Sequence, residues 1–166
     1  MPFVTSVVLF ALMQNALVLV FDRLGSGYLG PYGNTWIETP AWNRLASRSI
    51  LMEHVQSDSP NLDTVYRSYW QGLHAFAGNE SSNPPPLAAQ LDAQATETWL
   101  VTDDPDVAAH PAAGDFTDRV VLPTPNGEEP ATSPEETHLA QIMATTLEVL
   151  ERAQPPFLIW VHAQAM

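Results

Sequence analysis

Three short, almost unbroken apolar segments constrain the fold of this chain more than any other feature of its sequence. They are Ala16–Phe21 (ALVLVF), Thr98–Thr102 (TWLVT) and Phe157–Val161 (FLIWV). Such runs, bounded by polar residues, are typical of strands buried on both faces of a parallel sheet. A helix over Leu87–Ala95 and a shorter strand over Arg119–Leu122 continue the alternation of strands and helices. The sequence therefore predicts an α/β domain with a mainly parallel central sheet flanked by helices.

The predicted helices begin where a capping side chain precedes a proline. Thr39-Pro40, Ser59-Pro60 and Ser133-Pro134 all have this pattern, which suits the N-cap and the first helical position. Glu136 would complete a capping box with Ser133. Apolar residues then recur at helical spacing after the second of these pairs, which predicts an amphipathic helix; they are Leu62, Val65, Tyr66, Tyr69, Trp70 and Leu73.

Composition excludes several kinds of chemistry. The 166 residues include 19 acidic and 6 basic side chains, for a formal net charge of −13, so we expect no nucleic-acid partner. The chain has no cysteine, which excludes disulfides, thiolate metal sites and cysteine nucleophiles. Every basic residue is arginine, which excludes lysine Schiff bases and the lysine of a phosphate loop. Nothing in the composition predicts a cellular compartment.

Residues 1–14 form an apolar N-terminal lead whose role the sequence does not define. No basic residue precedes Arg23 and no small-x-small cleavage site follows, which argues against a secretory signal. Gln14 interrupts the segment before it reaches the length of a membrane span, so a membrane contact is expected only through residues 1–13. We expect residues 15–166 to be the N-terminal part of an α/β domain, truncated after a core strand.

The stretch from Asn15 to Gly72 resembles the N-terminal part of the sulfatase family, within the alkaline phosphatase superfamily. The matching segments are ALVLVFDRLGSGYLGPYGN over residues 16–34, TPAWNRLASRS over residues 39–49, and a helix that closes in Trp-Gln-Gly. TWLVTDD and PPFLIWVHA resemble later strands of the family less specifically. The resemblance implies an alkaline phosphatase/sulfatase-like fold and hydrolysis of a small anionic ester, a sulfuric ester.

The resemblance also implies a metal site and a modified nucleophile. In the family, carboxylates at strand ends hold a divalent cation, usually Ca²⁺, and a formylglycine made from Cys or Ser attacks sulfur. Asp22 corresponds to the first metal ligand. The family's neighbouring acid is replaced by Arg23, which would repel a cation or supply its charge to the substrate. Asp103 and Asp104 stand where the family has a lysine motif; they are either metal ligands or a solvated helix start.

The nucleophile motif of the family, Cys/Ser-x-Pro-x-Arg, is missing from this chain. Counting back from Gly72 aligns Leu62 with the nucleophile, and a shift of one residue aligns Asp63, with Arg67 as the arginine. Neither aligned residue can become formylglycine. Thr64 is a candidate nucleophile for phosphoryl transfer, and Arg67 is a candidate anion-binding residue. Their structural alternatives are a helix-surface threonine and an ion pair between Arg67 and Asp63.

The histidines and the missing motifs leave two main functions open. His162 directly follows the last strand and is a candidate for contacting substrate in the cleft. The other histidines show no metal-ligand spacing and are predicted to be structural or exposed; they are His54, His74, His110 and His138. The chain is either a calcium-dependent sulfuric ester hydrolase or a degenerate, non-catalytic sulfatase-like module that binds a ligand or serves a structural role. A phosphoryl-transfer relative that uses Thr64 is a third possibility.

Overall fold

The computed structural model describes residues 15–22, 24–77, 84–123 and 131–164. The apolar lead and Arg23 lie outside these ranges. The described strands are β1 (Ala16–Phe21), β2 (Glu97–Thr102), β3 (Asp118–Val121) and β4 (Phe157–Ala163). They form one sheet in the order β1-β4-β2-β3, and each neighbouring pair is parallel. The three apolar segments are therefore adjacent strands that run in the same direction, which confirms the predicted fold class.

Position in the sheet decides how deeply each apolar strand is buried. β4 lies between β1 and β2, and all of its residues are buried. β1 was expected to be fully buried, but it lies at the edge of the sheet and is only half-buried. Leu17 and Leu19 are 45% and 42% exposed. An edge strand has a neighbour on one side only, so an apolar run on it need not be enclosed.

Helices cover both faces of the sheet. Those described are α1 (Pro40–Ala46), α2 (Leu62–Gln71), α3 (Leu87–Asp92), α4 (Pro105–Ala109) and α5 (His138–Arg152). One buried cluster packs α2, α3 and α4 against the side chains of Leu100 and Trp160, and the other packs α5 against those of Val101 and Ile159. This division follows from the alternation of side chains along a strand. In the described part of the chain, no helix is long and apolar enough to cross a membrane.

The observed helix starts differ from those predicted at two of the three proline pairs. α2 begins at Leu62, and its N-cap is Asn61, whose side-chain oxygen accepts from the main-chain N–H of Thr64 at 3.1 Å. Ser59 lies before the helix, and its hydroxyl accepts from the main-chain N–H of Asn61 at 3.0 Å. The predicted cap is therefore wrong by two residues, because the better-placed amide of Asn61 satisfies the first turn.

The start of α5 is also later than predicted. Pro134–Glu136 forms a separate 3₁₀ turn, and α5 begins at His138 with Thr137 as its N-cap. The Ser133 side chain makes no cap hydrogen bond, so the reciprocal capping box does not form, and the carboxylate of Glu136 accepts from the N–H and the hydroxyl of Thr132. These hydrogen bonds, led by the one from the Thr132 hydroxyl, lower the pKa of Glu136.

Gly30, Gly33 and Asn34 each have a specific structural role in the loop after β1. Gly30 lies against the start of α1, where its N–H donates to the hydroxyl of Thr39 at 2.8 Å and a Cβ would collide with the side chains of Thr39 and Asn43. Gly33 adopts a φ of +94°, which favours glycine. The side chain of Asn34 donates to the carbonyl oxygen of Gly27 at 2.7 Å. Residues 30–34 of the segment that resembles the family therefore have a structural role in this loop.

Candidate functional site

A cleft of about 420 Å³ lies at the carboxyl ends of β1 and β4, beside the start of α2. Open parallel sheets bind ligands at this edge. Charged and polar side chains contribute to the lining from several loops and strand ends: Asp22, Ser59, Asp104, Asp106, His162 and Gln164. Aromatic rings supply much of the rest: Phe21, Tyr66 and Tyr69. The cleft thus combines carboxylates with aromatic surface.

Tyr66 positions the imidazole of His162 at the floor of this cleft. The two side chains are buried, and Tyr66 Oη lies 2.5 Å from His162 Nδ1. Trp160 Nε1 also donates to Tyr66 Oη, at 3.5 Å. Burial raises the pKa of Tyr66, so the hydroxyl stays neutral and can donate or accept. These contacts fix the orientation of the ring and leave Nε2 as its second polar atom.

His162 has one ring nitrogen, Nε2, that lacks a hydrogen-bond partner among the described residues. Burial lowers the pKa of His162, although the charges of Asp104 and Asp22 act in the opposite direction. Nε2 is buried and makes no hydrogen bond. Oδ2 of Asp104 lies 3.6 Å from Nε2, too far for a good hydrogen bond. The structure therefore places the predicted residue His162 in the cleft with a polar atom still to be satisfied.

Asp104 brings a buried negative charge to the same place. One of its oxygens accepts from the main-chain N–H groups of Asp106 and Val107, which caps α4. The other accepts from the Gln164 side chain at 3.2 Å. These donors are neutral, so they solvate the carboxylate without neutralising it. The predicted helix start is confirmed, but the expected solvation is wrong, because Asp104 is only 2% exposed.

Asp103 links three elements behind the cleft. Its Oδ1 accepts from the main-chain N–H of Gln164 at 2.8 Å, and its Oδ2 lies 3.1 Å from Nε2 of His138, the first residue of α5. Asp103 is buried. The contact with His138 therefore joins the start of α5 to the end of β2, which is a structural role.

The described side chains do not assemble a metal site. Within residues 15–22, 24–77, 84–123 and 131–164, no group of three or more His, Asp or Glu residues could hold a metal ion. The oxygens of Asp103 and Asp104 are engaged by main-chain N–H groups and side chains of the protein. Asp22 lines the cleft, and its main-chain N–H donates to the carbonyl oxygen of Ala163 at 2.9 Å. Its predicted role as a Ca²⁺ ligand stays a prediction.

The residues aligned with the family nucleophile take part in the structure of α2. Leu62 is half-buried and packs against the core cluster that contains Tyr66 and Trp70. The hydroxyl of Thr64 donates to the cap residue Asn61 at 3.3 Å, and Thr64 does not line the cleft.

Arg67 points away from the cleft as well. Its guanidinium donates to the carbonyl oxygen of Ala77 at 3.3 Å rather than pairing with Asp63. Asp63 instead lies 3.6 Å from Nε2 of His110. Arg67 is therefore placed against the turn that follows α2, and its predicted role in binding an anion stays a prediction.

Tyr66 and Gln164 are the contributors that sequence reasoning missed. Tyr66 had the spacing of a core residue, and it is one, but its hydroxyl also reaches the cleft floor. Gln164 contacts both Asp103 and Asp104. The signal that could have found Gln164 is its position immediately after the central strand, where polar side chains meet in a parallel sheet.

Comparison with known proteins agrees with the fold and with the family motif. Arylsulfatase D of Homo sapiens is 31% identical over 74 residues, which are 44% of this chain and 12% of that protein. The C-terminal periplasmic domain of EcEptC from Escherichia coli, in complex with Zn, superposes with a TM-score of 0.69 at 14% identity, over 91% of this chain and 43% of that one. A second structure of that domain gives a TM-score of 0.67 at 11% identity, over 92% and 42%. No protein-family model matches.

The sequence match supports a relationship to the sulfatases over 44% of this chain. The sequence match carries the relationship, and the structural likeness shows the shared fold. The chain spans 12% of the length of Arylsulfatase D and less than half of the EcEptC domain.

Proposed function

We propose that this chain, a relative of the sulfatases in sequence and fold, is a non-catalytic module that binds a ligand in the cleft beside His162. The observation that carries the proposal is the identity and placement of Leu62. In the ungapped alignment this apolar side chain stands at the position of the nucleophile, where it packs against the core cluster and lines the cleft; Asp63, aligned by a shift of one residue, does not line the cleft. A leucine can neither attack an ester nor be converted to formylglycine.

The charge of the cleft supports the same proposal. Sulfate and phosphate esters are anionic, and their hydrolysis requires positive charge around the transferred group. The chain has no lysine, and the described lining residues of the cleft include no arginine. They include Asp22, Asp104 and Asp106 instead. Within the described lining, an anionic ester would therefore meet carboxylates and no arginine or lysine.

Metal-assisted sulfuric ester hydrolysis is the second candidate. It is favoured by the 31% identity to Arylsulfatase D and by the Zn complex of the EcEptC domain. In this chain a metal would need ligands beyond the described set, since those residues provide no group of three. Asp22 is the residue that would contribute a carboxylate.

The test is to assay the chain against 4-nitrophenyl sulfate and 4-nitrophenyl phosphate with Ca²⁺, Mn²⁺ or Zn²⁺ present. We expect no hydrolysis above the buffer rate and no rise in Tm with any of these ions, because an ion bound to the native state would stabilise it. Hydrolysis that disappears in Asp22→Ala would contradict the proposal and favour the metal-dependent hydrolase. Hydrolysis of the phosphate alone, lost in Thr64→Ala and kept in Thr64→Ser, would favour phosphoryl transfer.

A further inference from the structure

We infer that the cleft binds a small organic cation, a primary ammonium ion, between Asp104 and His162. This inference rests on the proposed non-catalytic function and names the class of ligand for the same cleft. Two independent observations carry it: the sign of the charge that lines the cleft, and the buried Nε2 of His162 that has no hydrogen-bond partner.

The first step of the argument concerns charge. Asp104 is buried, and its carboxylate accepts hydrogen bonds from neutral N–H groups of Asp106, Val107 and Gln164. Asp106 adds a second carboxylate to the lining and is exposed. A carboxylate in this environment interacts with a cation more strongly than it would in bulk water. A cationic ligand beside Asp104 would therefore supply an opposite charge to this buried carboxylate.

The second step concerns the gap between His162 and Asp104. Nε2 of His162 and Oδ2 of Asp104 lie 3.6 Å apart, and both residues line the cleft. A primary ammonium has three N–H donors, so one group placed there can donate to Oδ2 and to Nε2. His162 then carries its own proton on Nδ1 and donates it to the hydroxyl of Tyr66. Every buried polar atom of this pair is satisfied in that arrangement.

The third step separates an organic cation from a metal ion. A hard divalent cation requires several carboxylate or carbonyl oxygens around one point. The described residues offer no such group. The rings of Phe21, Tyr66 and Tyr69 line the cleft instead, and aromatic faces attract organic ammonium groups and pack against their carbon chains. The volume of about 420 Å³ lies within the range of small-molecule sites.

The experiment titrates the full chain with n-butylammonium, n-butanol and butyrate at matched ionic strength. Amide and His162 ring resonances are followed by NMR. We expect n-butylammonium to bind at least about tenfold more tightly than n-butanol. The two molecules are similar in size, but only the ammonium ion is attracted by the charge of a buried carboxylate. Butyrate should leave the cleft resonances unmoved, and n-butylammonium should shift the Nε2 resonance of His162.

Two variants and a matched control locate the binding site. Asp104→Asn keeps a side-chain oxygen for the α4 cap, and it should weaken n-butylammonium by at least about tenfold. Asp106→Asn is exposed, so it should fold normally and weaken binding by a smaller factor. Asp118→Asn removes the same charge at the start of β3, at the opposite edge of the parallel sheet, and should change the affinity by less than about twofold. Asp106→Asn keeps the inference testable should Asp104→Asn fail to fold.

Three results would overturn the inference. They are equal binding of n-butanol, an affinity for n-butylammonium that neither Asp104→Asn nor Asp106→Asn lowers, and Ca²⁺ displacing the amine while the His162 resonances stay in place. Failure of the inference is distinguishable from failure of the proposed function. Ester hydrolysis would contradict the non-catalytic function, whereas absent amine binding in a chain without hydrolysis would reject only the ligand class.

Discussion

β1 and β4 pair with each other and have almost interchangeable apolar sequences, but their surroundings differ. All of β4 is buried between two neighbouring strands, whereas β1 lies at the edge and exposes much of Leu17 and Leu19. The polar residues at the ends of these strands differ in the same way. His162, near the end of β4, is fully buried, and Asp22, directly after β1, is half-buried. An apolar run therefore predicts a strand, while its place in the sheet determines how much stability it supplies.

The largest expected difference between the two strands is the cost of removing an apolar side chain. Ile159→Ala in β4 should lower the free energy of unfolding by about 2–5 kcal/mol, because Ile159 is fully buried and its loss leaves a cavity. Leu19→Ala in β1 should cost roughly 1 kcal/mol, because that side chain already contacts solvent. Urea denaturation of both variants measures the difference. Equal costs would show that β1 is enclosed in solution.

The next largest expected effect concerns the hydrogen bond between Tyr66 and His162 of the central strand β4. Tyr66→Phe leaves the buried Nδ1 of His162 without its partner, and should cost about 1–3 kcal/mol in unfolding free energy. Tyr69→Phe is the matched control, since Tyr69 is 49% exposed and its change should cost less than about 0.5 kcal/mol. Chemical denaturation and the NMR signals of the His162 ring report both results. A Tyr66→Phe variant as stable as Tyr69→Phe would mean that the contact contributes nothing.

Much of the sheet could be predicted from the sequence, because periodicity and apolar runs report burial directly. The bounds of β1 agree with the prediction, and β4 extends only two residues beyond its predicted end. The exposure of β1 could not be predicted, since an edge strand and a central strand can share one composition. The N-caps Asn61 and Thr137 were missed because several nearby residues can cap a helix, and local sequence does not rank their geometries.

The candidate site was only partly predictable. Strand ends located the cleft, and His162 was a candidate from its position alone. The long-range contacts of His162 were not predictable, because Tyr66 is 96 positions away along the chain. The pairing of Asp103 with His138 likewise depends on how α5 docks against β2. Contacts of this kind arise from tertiary packing, which no short motif encodes.

A smaller effect concerns α2, the helix whose core cluster also includes side chains of β1. Asn61→Ala removes the observed N-cap and should lower the free energy of unfolding by about 1 kcal/mol. Ser59→Ala removes the residue that the sequence favoured, and should cost less, since Ser59 lies before the helix. Thermal or urea unfolding of the two variants gives the ranking. A larger cost for Ser59→Ala would restore the earlier helix start.

The smallest expected effect is a pH dependence of the free energy of unfolding that arises from His162 in β4. Burial places the pKa of His162 below its ordinary value of 6.5, so at lower pH the unfolded chain takes up the proton first. The contribution of His162 to the free energy of unfolding should therefore be complete above about pH 6.5. It should be lost progressively as the pH falls from about 6.5 towards the folded pKa. The effect is small because Asp104 and Asp22 oppose the effect of burial. His162→Gln should reduce this slope between about pH 7.5 and 5.5. Urea denaturation at both pH values measures the slopes, and an identical slope in the His162→Gln variant would show that His162 does not titrate differently in the folded and unfolded chains.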